Sequence, residues 1–184
     1  MAIRVAVNGF GRIGRLVTRA AYELGRTDIE LVAINTPGSI EATTHLLQYD
    51  SVHGRFNGDV TKGADWLDMG RGKIKVSSHR DPHNAAWREL GVDIVLECSG
   101  HFNSTEKSRA HIKAGAKKVL LSAPAKDQTK TIVYGVNHET IEADDLIISN
   151  ASCTTNCLAP MVKVLHEKIG IEHGFMTTVH AYTG

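Results

Sequence analysis

Cysteine, net charge and long apolar runs are all scarce in this chain of 184 residues. Its three cysteines form an odd, sparse set, and three residues separate Cys153 from Cys157, which is not the spacing of a CxxC redox or zinc pair. Its ten histidines form no HExxH pattern, and a zinc site would need ligands at such a spacing. We therefore expect no metal site and no disulfide framework.

Charge and hydropathy exclude further classes of protein. Lys plus Arg (21) and Asp plus Glu (20) nearly cancel and leave a net charge of +1, so no global field favours nucleic acid or a membrane as a partner. No segment reaches the roughly 18 consecutive apolar residues of a membrane span, and residues 1–4 lead into a strand pattern rather than a signal peptide. The expected location is the cytoplasm.

A glycine-rich turn joins the first strand pattern to the first helix pattern. Residues 3–7 read as a buried strand, Asn8-Gly-Phe-Gly-Arg-Ile-Gly14 follows, and apolar residues then recur at helical spacing over residues 13–24. In such a GxGxxG loop, Gly9 permits the tight turn, Gly11 lets a pyrophosphate approach the backbone, and Gly14 lets helix and strand pack closely. The phosphates would lie on the helix N-terminus, so the loop predicts dinucleotide binding.

Strand and helix patterns alternate through the next part of the chain. Strands are predicted at residues 29–34, 92–97, 118–122, 131–134 and 146–149, and helices at 40–49, around Trp87 and at 105–114. Short runs between glycines over residues 54–76 predict an antiparallel excursion at the sheet edge. The pattern indicates an α/β fold of Rossmann type, with a mostly parallel, doubly wound sheet and its ligand above the carboxyl edge.

The tip of the second predicted strand carries Asn35 and Thr36, where an NAD-type site places Asp or Glu on the ribose hydroxyls. The missing carboxylate removes a charge that would repel a 2′-phosphate, and Thr36 and Ser39 could donate hydrogen bonds to one. No Arg or Lys follows nearby to pair with such a phosphate. The choice between NAD and NADP therefore stays open.

A cysteine lies at a later strand-to-helix corner, in Ser149-Asn-Ala-Ser-Cys-Thr-Thr-Asn-Cys157. The N-terminus of the following helix favours a thiolate at Cys153, whereas a cysteine taken alone is more often a small buried hydrophobe. Pro160 predicts a kink or restart of this helix near Asn156. Residues 171–182 then alternate as a strand that carries His180 on one face.

Four motifs together resemble the phosphorylating glyceraldehyde-3-phosphate dehydrogenase family, over essentially the whole chain. They are Asn8-Gly-Phe-Gly-Arg-Ile-Gly-Arg15, Ser122-Ala-Pro124, the cysteine motif of residues 149–157, and Thr178-Val-His-Ala-Tyr-Thr-Gly184. The family's usual chain is nearly twice as long, so the resemblance implies a dinucleotide-binding domain at residues 1–150. Residues 151–184 would begin an α+β catalytic domain with its first helix and strand.

The resemblance implies oxidation of glyceraldehyde 3-phosphate with inorganic phosphate and NAD or NADP. Cys153 would be the nucleophile and His180 its base, giving a thiohemiacetal and then a thioester that phosphate cleaves. A histidine on an isolated strand is more often structural, and only the cysteine motif favours this role for His180. The residues that resemble the family's cofactor site are Asn8, Gly9, Phe10, Gly11, Arg12, Ile13, Gly14, Asn35, Thr36, Arg80, Ser99, Gly100, Phe102 and Ser122.

Hydroxyl side chains around the cysteine resemble phosphate contacts of the family. Ser152 and Thr154 correspond to contacts of the attacking phosphate, and Thr183 to a contact of the substrate's own phosphate. Ser152 at this spacing is equally typical of a helix cap. Cys157, one turn beyond Cys153, is expected to be a packed thiol rather than a second nucleophile.

Two other functions remain open. An erythrose-4-phosphate dehydrogenase would use the same cysteine chemistry without phosphorolysis, and a non-catalytic module would only bind the dinucleotide. Nucleic-acid or scaffold binding gains no support from the near-zero net charge.

The resemblance also has two departures. Family members that prefer NAD usually carry Asp where this chain has Thr36. The family's phosphate-binding arginine and its C-terminal helix, which packs on the cofactor domain, are not among these residues. The chain should therefore expose apolar surface and be weakly active or inactive alone, while the full-length protein should be a homotetramer.

Overall fold

A computed structural model describes residues 2–181 of the chain. Within them, most of the strands join into one sheet, and a separate two-stranded hairpin lies beside it. The strands are β1 (Ile3–Asn8), β2 (Ile29–Asn35), β3 (Tyr49–Asp50), β4 (Gly54–Arg55), β5 (Thr61–Lys62), β6 (Trp66–Asp68), β7 (Lys73–Ser77), β8 (Ile94–Glu97), β9 (Lys118–Leu121) and β10 (Ile147–Ser149). The α-helices are α1 (Arg12–Glu23), α2 (Ile40–Gln48), α3 (Thr105–Lys113) and α4 (Cys153–Ile169).

Parallel strands make up the body of the sheet. Its order is β10-β9-β8-β1-β2-β7-β6-β5, and every pairing from β10 to β7 is parallel. The chain leaves β1 toward β2 on one side and later returns to β8 on the other, so the order reverses between β1 and β8. Ligands of open α/β sheets bind beyond the carboxyl ends of the strands at such a switch point. The predicted Rossmann-type fold is confirmed.

The glycine-rich segment forms the predicted antiparallel edge. β7 lies parallel to β2, with Asn35 opposite Ser77, while β6 runs antiparallel to β7 and β5 antiparallel to β6. β3 and β4, each two residues long, pair as the separate hairpin. Because β7 extends the sheet beside β2, the loop that follows β7 emerges next to the tip of β2.

The core has two clusters of buried side chains. Ala6 and Val95 pack with Trp87 in one cluster, and Val7 and Leu47 belong to the other. Ala6 and Val7 are successive residues of β1 and therefore point to opposite faces of the sheet. Burial of both faces explains why the central strands are almost continuously apolar.

The stretch around Trp87 is not the predicted helix. A 3₁₀ turn over Pro82–Asn84 and isolated turns over residues 86–92 form there instead, and the backbone N–H of Arg88 donates to the carbonyl of Ala114 at 3.1 Å rather than to one a turn earlier. A Cβ on Gly115 would lie 2.4 Å from the Cβ of Arg88, so the end of α3 approaches this segment closely. Burial of Trp87 against α3 outweighs the helical spacing.

Two of the predicted strands are reduced or missing. Residues 131–134 contribute a single parallel bridge, Thr131 with Ser149, before the chain turns toward a 3₁₀ helix at His138–Thr140. The backbone N–H of Val133 donates to Asn137 Oδ1 at 2.7 Å, which removes that donor from a strand ladder. Residues 171–181, the described part of the last predicted strand, form no strand. A strand needs a neighbour for its backbone groups, and none of the described strands pairs with this segment.

Helix α4 continues through Pro160 without the predicted restart. Asn156, one turn before the proline, donates through Nδ2 to the carbonyls of Asn150 at 2.7 Å and Ser152 at 2.9 Å. These side-chain bonds hold the first turn of the helix, so the loss of one ladder donor at Pro160 does not divide it. No helix of residues 2–181 combines the length and the apolar character that a membrane crossing needs.

Candidate functional site

The three glycines of the loop after β1 have three different surroundings. Gly9 has φ +88°, and a Cβ there would lie 2.5 Å from the Cα of Ser99. A Cβ on Gly14 would lie 2.3 Å from the carbonyl oxygen of Gly9, whereas a Cβ on Gly11 would meet nothing within 4 Å. The geometry matches the predicted roles: a tight turn at Gly9, close packing at Gly14 and an open approach at Gly11.

Helix α1 differs from the other described α-helices at its N-terminus. It begins after Gly11 with no side-chain cap and no acidic residue in its first turn. The other three begin after serines whose hydroxyls accept a first-turn backbone N–H: Ser39, Ser104 and Ser152. The first N–H groups of α1 therefore remain available to an anion at the positive end of the helix dipole. This donor set suits the diphosphate of a dinucleotide.

A cleft of about 360 Å³ lies at the switch point, beyond the carboxyl ends of β1, β2 and β8. Six of the predicted cofactor residues line it: Asn8, Gly9, Asn35, Arg80, Ser99 and Phe102. The other predicted cofactor residues lie outside this lining: Phe10, Gly11, Arg12, Ile13, Gly14, Thr36, Gly100 and Ser122. The sheet thus brings together residues that are more than 90 positions apart in the sequence.

Three lining residues were missed: Pro37, His79 and His101. Pro37 and His101 lie just beyond the predicted ends of two parallel strands, a position that could have marked them. His79 carries no such signal. It reaches the cleft only because β7 pairs with β2, and short strands between glycines do not reveal which neighbour they will join.

Two predicted cofactor residues have their polar atoms held by the protein itself. Asn35 donates through Nδ2 to Asn8 Oδ1 at 2.7 Å and to the carbonyl of His79 at 2.8 Å, which uses both amide hydrogens. Arg12 binds the carboxylate of Asp50 with two nitrogens, at 3.0 and 3.3 Å. Backbone N–H groups of the loop after Asp50, together with Arg12, hold the pKa of that carboxyl well below its usual range. Both side chains therefore support the site as parts of its frame.

Cys153 is the first residue of α4 and is exposed. Ser152 caps the helix, because its Oγ accepts the backbone N–H of Thr155 at 3.0 Å. Ala151, just before the cap, is buried with φ +58°, and its own N–H donates to Ser149 Oγ at 3.1 Å. A left-handed backbone costs a non-glycine residue about 1–2 kcal/mol, so the surrounding structure must hold this corner. Nothing in an alanine side chain signals such a conformation in advance.

His180 reaches the start of α4, where its hydrogen bonds go to threonine hydroxyls. Its Nε2 lies 3.3 Å from the hydroxyl of Thr154 and 3.1 Å from that of Thr178. Between these two described side chains, His180 and Cys153, there is no hydrogen bond. The imidazole is thus placed one residue along the helix from the thiol. Thr183, the predicted contact of the substrate phosphate, lies outside the described residues.

The other two cysteines differ from Cys153 in their surroundings. Burial at the carboxyl end of β8 raises the pKa of the Cys98 thiol to about 11. Cys157 is exposed, so the prediction of a packed thiol is wrong for the described residues, which fully bury no residue of α4. Residues 2–181 also bring together no group of three or more His, Cys, Asp or Glu side chains able to hold a metal ion.

Comparison with known proteins agrees with this geometry. Residues 3–105 match the family described as glyceraldehyde 3-phosphate dehydrogenase, NAD binding domain, and residues 152–184 match the C-terminal domain of the same family. The cofactor of this domain is accordingly NAD or NADP.

Curated relatives resemble the chain over its entire length. The glyceraldehyde-3-phosphate dehydrogenases of Cereibacter sphaeroides and Xanthobacter flavus are 61% and 60% identical to it over 184 residues, which are 100% of this chain and 55% of each relative. The glyceraldehyde-3-phosphate dehydrogenase 2 of Bacillus subtilis is 53% identical, with 100% of this chain and 54% of the relative covered. The chain therefore spans about half the length of the curated relatives it matches. On the family match and this similarity, the chain belongs to the glyceraldehyde-3-phosphate dehydrogenase family.

Proposed function

We propose that the full-length protein oxidises glyceraldehyde 3-phosphate and inorganic phosphate to 1,3-bisphosphoglycerate with NAD or NADP, as a step of glycolysis or gluconeogenesis in the cytoplasm. The observation that carries the proposal is the cysteine corner. Cys153 is exposed at the N-terminus of α4, with Ser152 capping the same turn and Thr154 in contact with His180. A thiol with these neighbours suits covalent catalysis on a carbonyl.

The chemistry follows from the residues of this corner. The Cys153 sulfur adds to the aldehyde carbon, and the new hydroxyl group of the thiohemiacetal needs a base, the role proposed for His180. When bound, NAD(P)⁺ supplies the hydride acceptor for the oxidation. The resulting thioester on Cys153 keeps the acyl group activated until phosphate attacks it. Ser152 and Thr154 would bind that phosphate through their hydroxyls, and Thr183 the phosphate of the substrate.

The proposal is tested by assaying two aldehydes with the full-length protein. We expect reduction of the cofactor with glyceraldehyde 3-phosphate that requires inorganic phosphate and yields an acyl phosphate. Faster turnover of erythrose 4-phosphate, without a phosphate requirement, would assign the protein to that relative instead. Tight cofactor binding with no turnover of either aldehyde would contradict both enzymatic functions.

The choice between NAD and NADP depends on the tip of β2. Thr36 is buried there and leaves the tip without a carboxylate, while Arg80 lines the same cleft as Asn35. Arg80 thus supplies a cation that residues following β2 in the sequence do not. We propose that the cleft accepts either cofactor. Thr36→Asp should raise the ratio of NAD to NADP affinity by about tenfold or more, because a carboxylate repels a 2′-phosphate and accepts ribose hydroxyls. An unchanged ratio would show that this tip does not face the adenosine ribose.

The described chain by itself is proposed to be weakly active or inactive. We divide it into a cofactor domain at residues 1–150 and the start of a catalytic domain at 151–184. Helix α4 leaves Met161, Val164 and Ile169 more than half exposed, at 53%, 56% and 78%. An apolar cavity of about 210 Å³ also opens between α1 and the sheet. Further protein must cover such surfaces, and a homotetramer of the full-length chain would provide additional cover. Turnover by the purified 184-residue chain at a rate typical of enzymes would contradict this proposal.

A further inference from the structure

A continuous chain of buried polar side chains crosses the floor of the cofactor cleft. It consists of Asn35 on β2, Asn8 on β1, Glu97 on β8, His111 on α3 and the indole of Trp87, and we call it the Glu97 chain. All five residues are at most 4% exposed. Buried polar groups require partners, and a buried carboxylate requires several. The proposed catalysis at Cys153 makes no use of Glu97, His111 or Trp87.

One oxygen of Glu97 accepts two hydrogen bonds from the side chains around it. Asn8 Nδ2 donates to Oε2 at 2.6 Å, and His111 Nε2 lies 2.9 Å from the same oxygen. Trp87 Nε1 can only donate, and it lies 3.1 Å from His111 Nδ1. The indole therefore assigns the proton of the neutral imidazole to Nε2, which donates to Glu97. Because the carboxylate can only accept, both Asn8 and His111 donate to it.

The second oxygen of Glu97 accepts two hydrogen bonds from Ser99. Its Oε1 accepts the backbone N–H of Ser99 at 2.7 Å and also the Ser99 hydroxyl proton. Burial alone would raise the pKa of Glu97, but hydrogen bonds from His111, Ser99 and Asn8 outweigh it and hold that pKa below its usual value. Because the Ser99 proton is committed to Glu97, the Ser99 oxygen can only accept from other groups, as it does from the N–H of His101 at 3.2 Å.

On the side of Asn8, the Glu97 chain extends to the loop after β7. Asn8 turns its amide nitrogen toward Glu97, so its Oδ1 faces Asn35 and accepts from Nδ2 of that residue at 2.7 Å. Asn35 then presents its Oδ1 to the backbone N–H of His79 at 2.8 Å. His79 precedes Arg80, and both line the cleft. The tips of three strands and the loop after β7 are thus joined to one carboxylate.

We propose that Glu97 is a positioning residue for NAD(P). Through the Glu97 chain it orients the amides of Asn8 and Asn35, holds the loop with His79, and makes Ser99 a hydrogen-bond acceptor toward the cleft. The carboxylate touches no reacting atom and acts through these neighbours. The inference rests on the NAD(P)-binding assignment of the cleft, and only its turnover readout depends on the proposed function.

The central test is Glu97→Gln in the full-length protein, with the Kd of NAD and of NADP measured by direct titration. A glutamine amide must turn its NH₂ toward the donors Asn8 and His111 or toward those of Ser99, so one set loses its acceptor whichever way it points. We expect both Kd values to rise by about tenfold or more. In turnover assays the KM of the cofactor should rise more than kcat falls. The control is Glu106→Gln, an exposed carboxylate in the first turn of α3, which should leave Kd unchanged.

A double-mutant cycle separates positioning from general loss of stability. If Glu97 acts through Ser99, Glu97→Gln should weaken binding much less in a Ser99→Ala background than in the wild type. Strictly additive effects, or an unchanged Kd in Glu97→Gln, would overturn the proposal. Absence of turnover in a wild-type protein that binds NAD(P) normally would instead count against the proposed function alone.

A second pair of variants serves if Glu97→Gln does not fold. His111→Gln keeps a donor for Glu97 and an acceptor for Trp87, whereas His111→Leu fills a similar volume with neither. Glutamine should hold the Kd of the cofactor within about threefold of wild type and leucine should not. Equal effects of the two substitutions would contradict the proposal, because packing alone would then account for both.

Discussion

The cofactor cleft and the cysteine corner lie in the same chain but are built in opposite ways. At the floor of the cleft, Asn8 and Asn35 are buried, and their polar atoms have protein partners on both sides. The corner carries an exposed thiol on a helix of which no residue is buried. The polar groups at the floor of the cleft thus have partners among the described residues, whereas the proposed nucleophile stands on a helix that these residues do not bury.

The largest expected effect separates the two thiols of α4. Cys153→Ser should lower turnover of glyceraldehyde 3-phosphate by on the order of 10³-fold or more, because the nucleophile of covalent catalysis is removed. Cys157→Ser, one turn further along, should keep activity within a few fold. Steady-state kinetics of both full-length variants, with NAD(P) affinity as a check on folding, tests the contrast. Comparable losses in the two variants would show that the assignment of the nucleophile is wrong.

Alkylation compares the reactivity of the Cys98 thiol in the folded protein with that of the same thiol in the unfolded protein. The pKa of Cys98 is raised to about 11, so near pH 7.5 its thiolate fraction is on the order of 10²-fold below that of an unperturbed thiol. Alkylation of Cys98 by iodoacetamide should be slower by at least this factor in the native protein than in the denatured one. Peptide mass spectrometry over time measures both rates. Equal rates would mean that the end of β8 opens readily to solvent.

Two glycines of one loop should differ in stability when changed to alanine. Gly9→Ala adds a Cβ 2.5 Å from the backbone of Ser99 at a residue with φ +88°, and we expect a loss of about 1–3 kcal/mol or more in the free energy of unfolding. Gly11→Ala meets nothing within 4 Å and should cost less than about 1 kcal/mol, the value of an N-cap change. Urea denaturation of both variants gives the difference. Similar losses would contradict the close approach of β1 and β8 at this loop.

The smallest effect concerns a carboxylate on the exposed helix. Glu167 pairs with Lys163 at 2.6 Å, and their side chains are 54% and 38% exposed. Glu167→Gln should change the free energy of unfolding by only about 0.3–0.5 kcal/mol, since solvent and salt screen exposed pairs. The same change at Glu97 should be clearly larger, because that carboxylate is buried with several donors. Denaturation at low and high salt compares the two. A loss above about 1 kcal/mol at Glu167 would show that α4 is less exposed than described.

Local chemistry made the glycine loop and the sheet predictable. The need for glycine at positions 9, 11 and 14 could be predicted from the strand and helix patterns that adjoin them in the sequence. Apolar strands separated by helical patterns likewise predict a parallel sheet. The segment around Trp87 was mispredicted because the backbone N–H of Arg88 donates to Ala114 at the end of α3, a partner that no local pattern reveals. The last predicted strand failed for a related reason, since its alternation does not provide a neighbouring strand.

Six of the predicted cofactor residues line the candidate cleft, whereas the hydrogen bonds of individual side chains could not be predicted from the sequence. Asn35 was expected to contact the cofactor, yet its amide is taken up by Asn8 and His79. Glu97 was missed, although a carboxylate that ends an otherwise apolar parallel strand was a visible signal. His111 could not be recognised from the sequence, because only the packing of α3 on Trp87 brings its imidazole into hydrogen-bond contact with Trp87 and Glu97.

The Glu97 chain has a consequence for how a ligand enters the cleft. Since Asn8, Asn35 and Ser99 are already tied to one carboxylate, folding does the ordering that a looser cleft would leave to the binding step. Calorimetric titration should accordingly show only a small entropic penalty from side-chain immobilisation. The floor of the cleft should also be selective, because an analogue with an altered ring must fit Asn8, Asn35 and Ser99 in the orientations that the carboxylate holds.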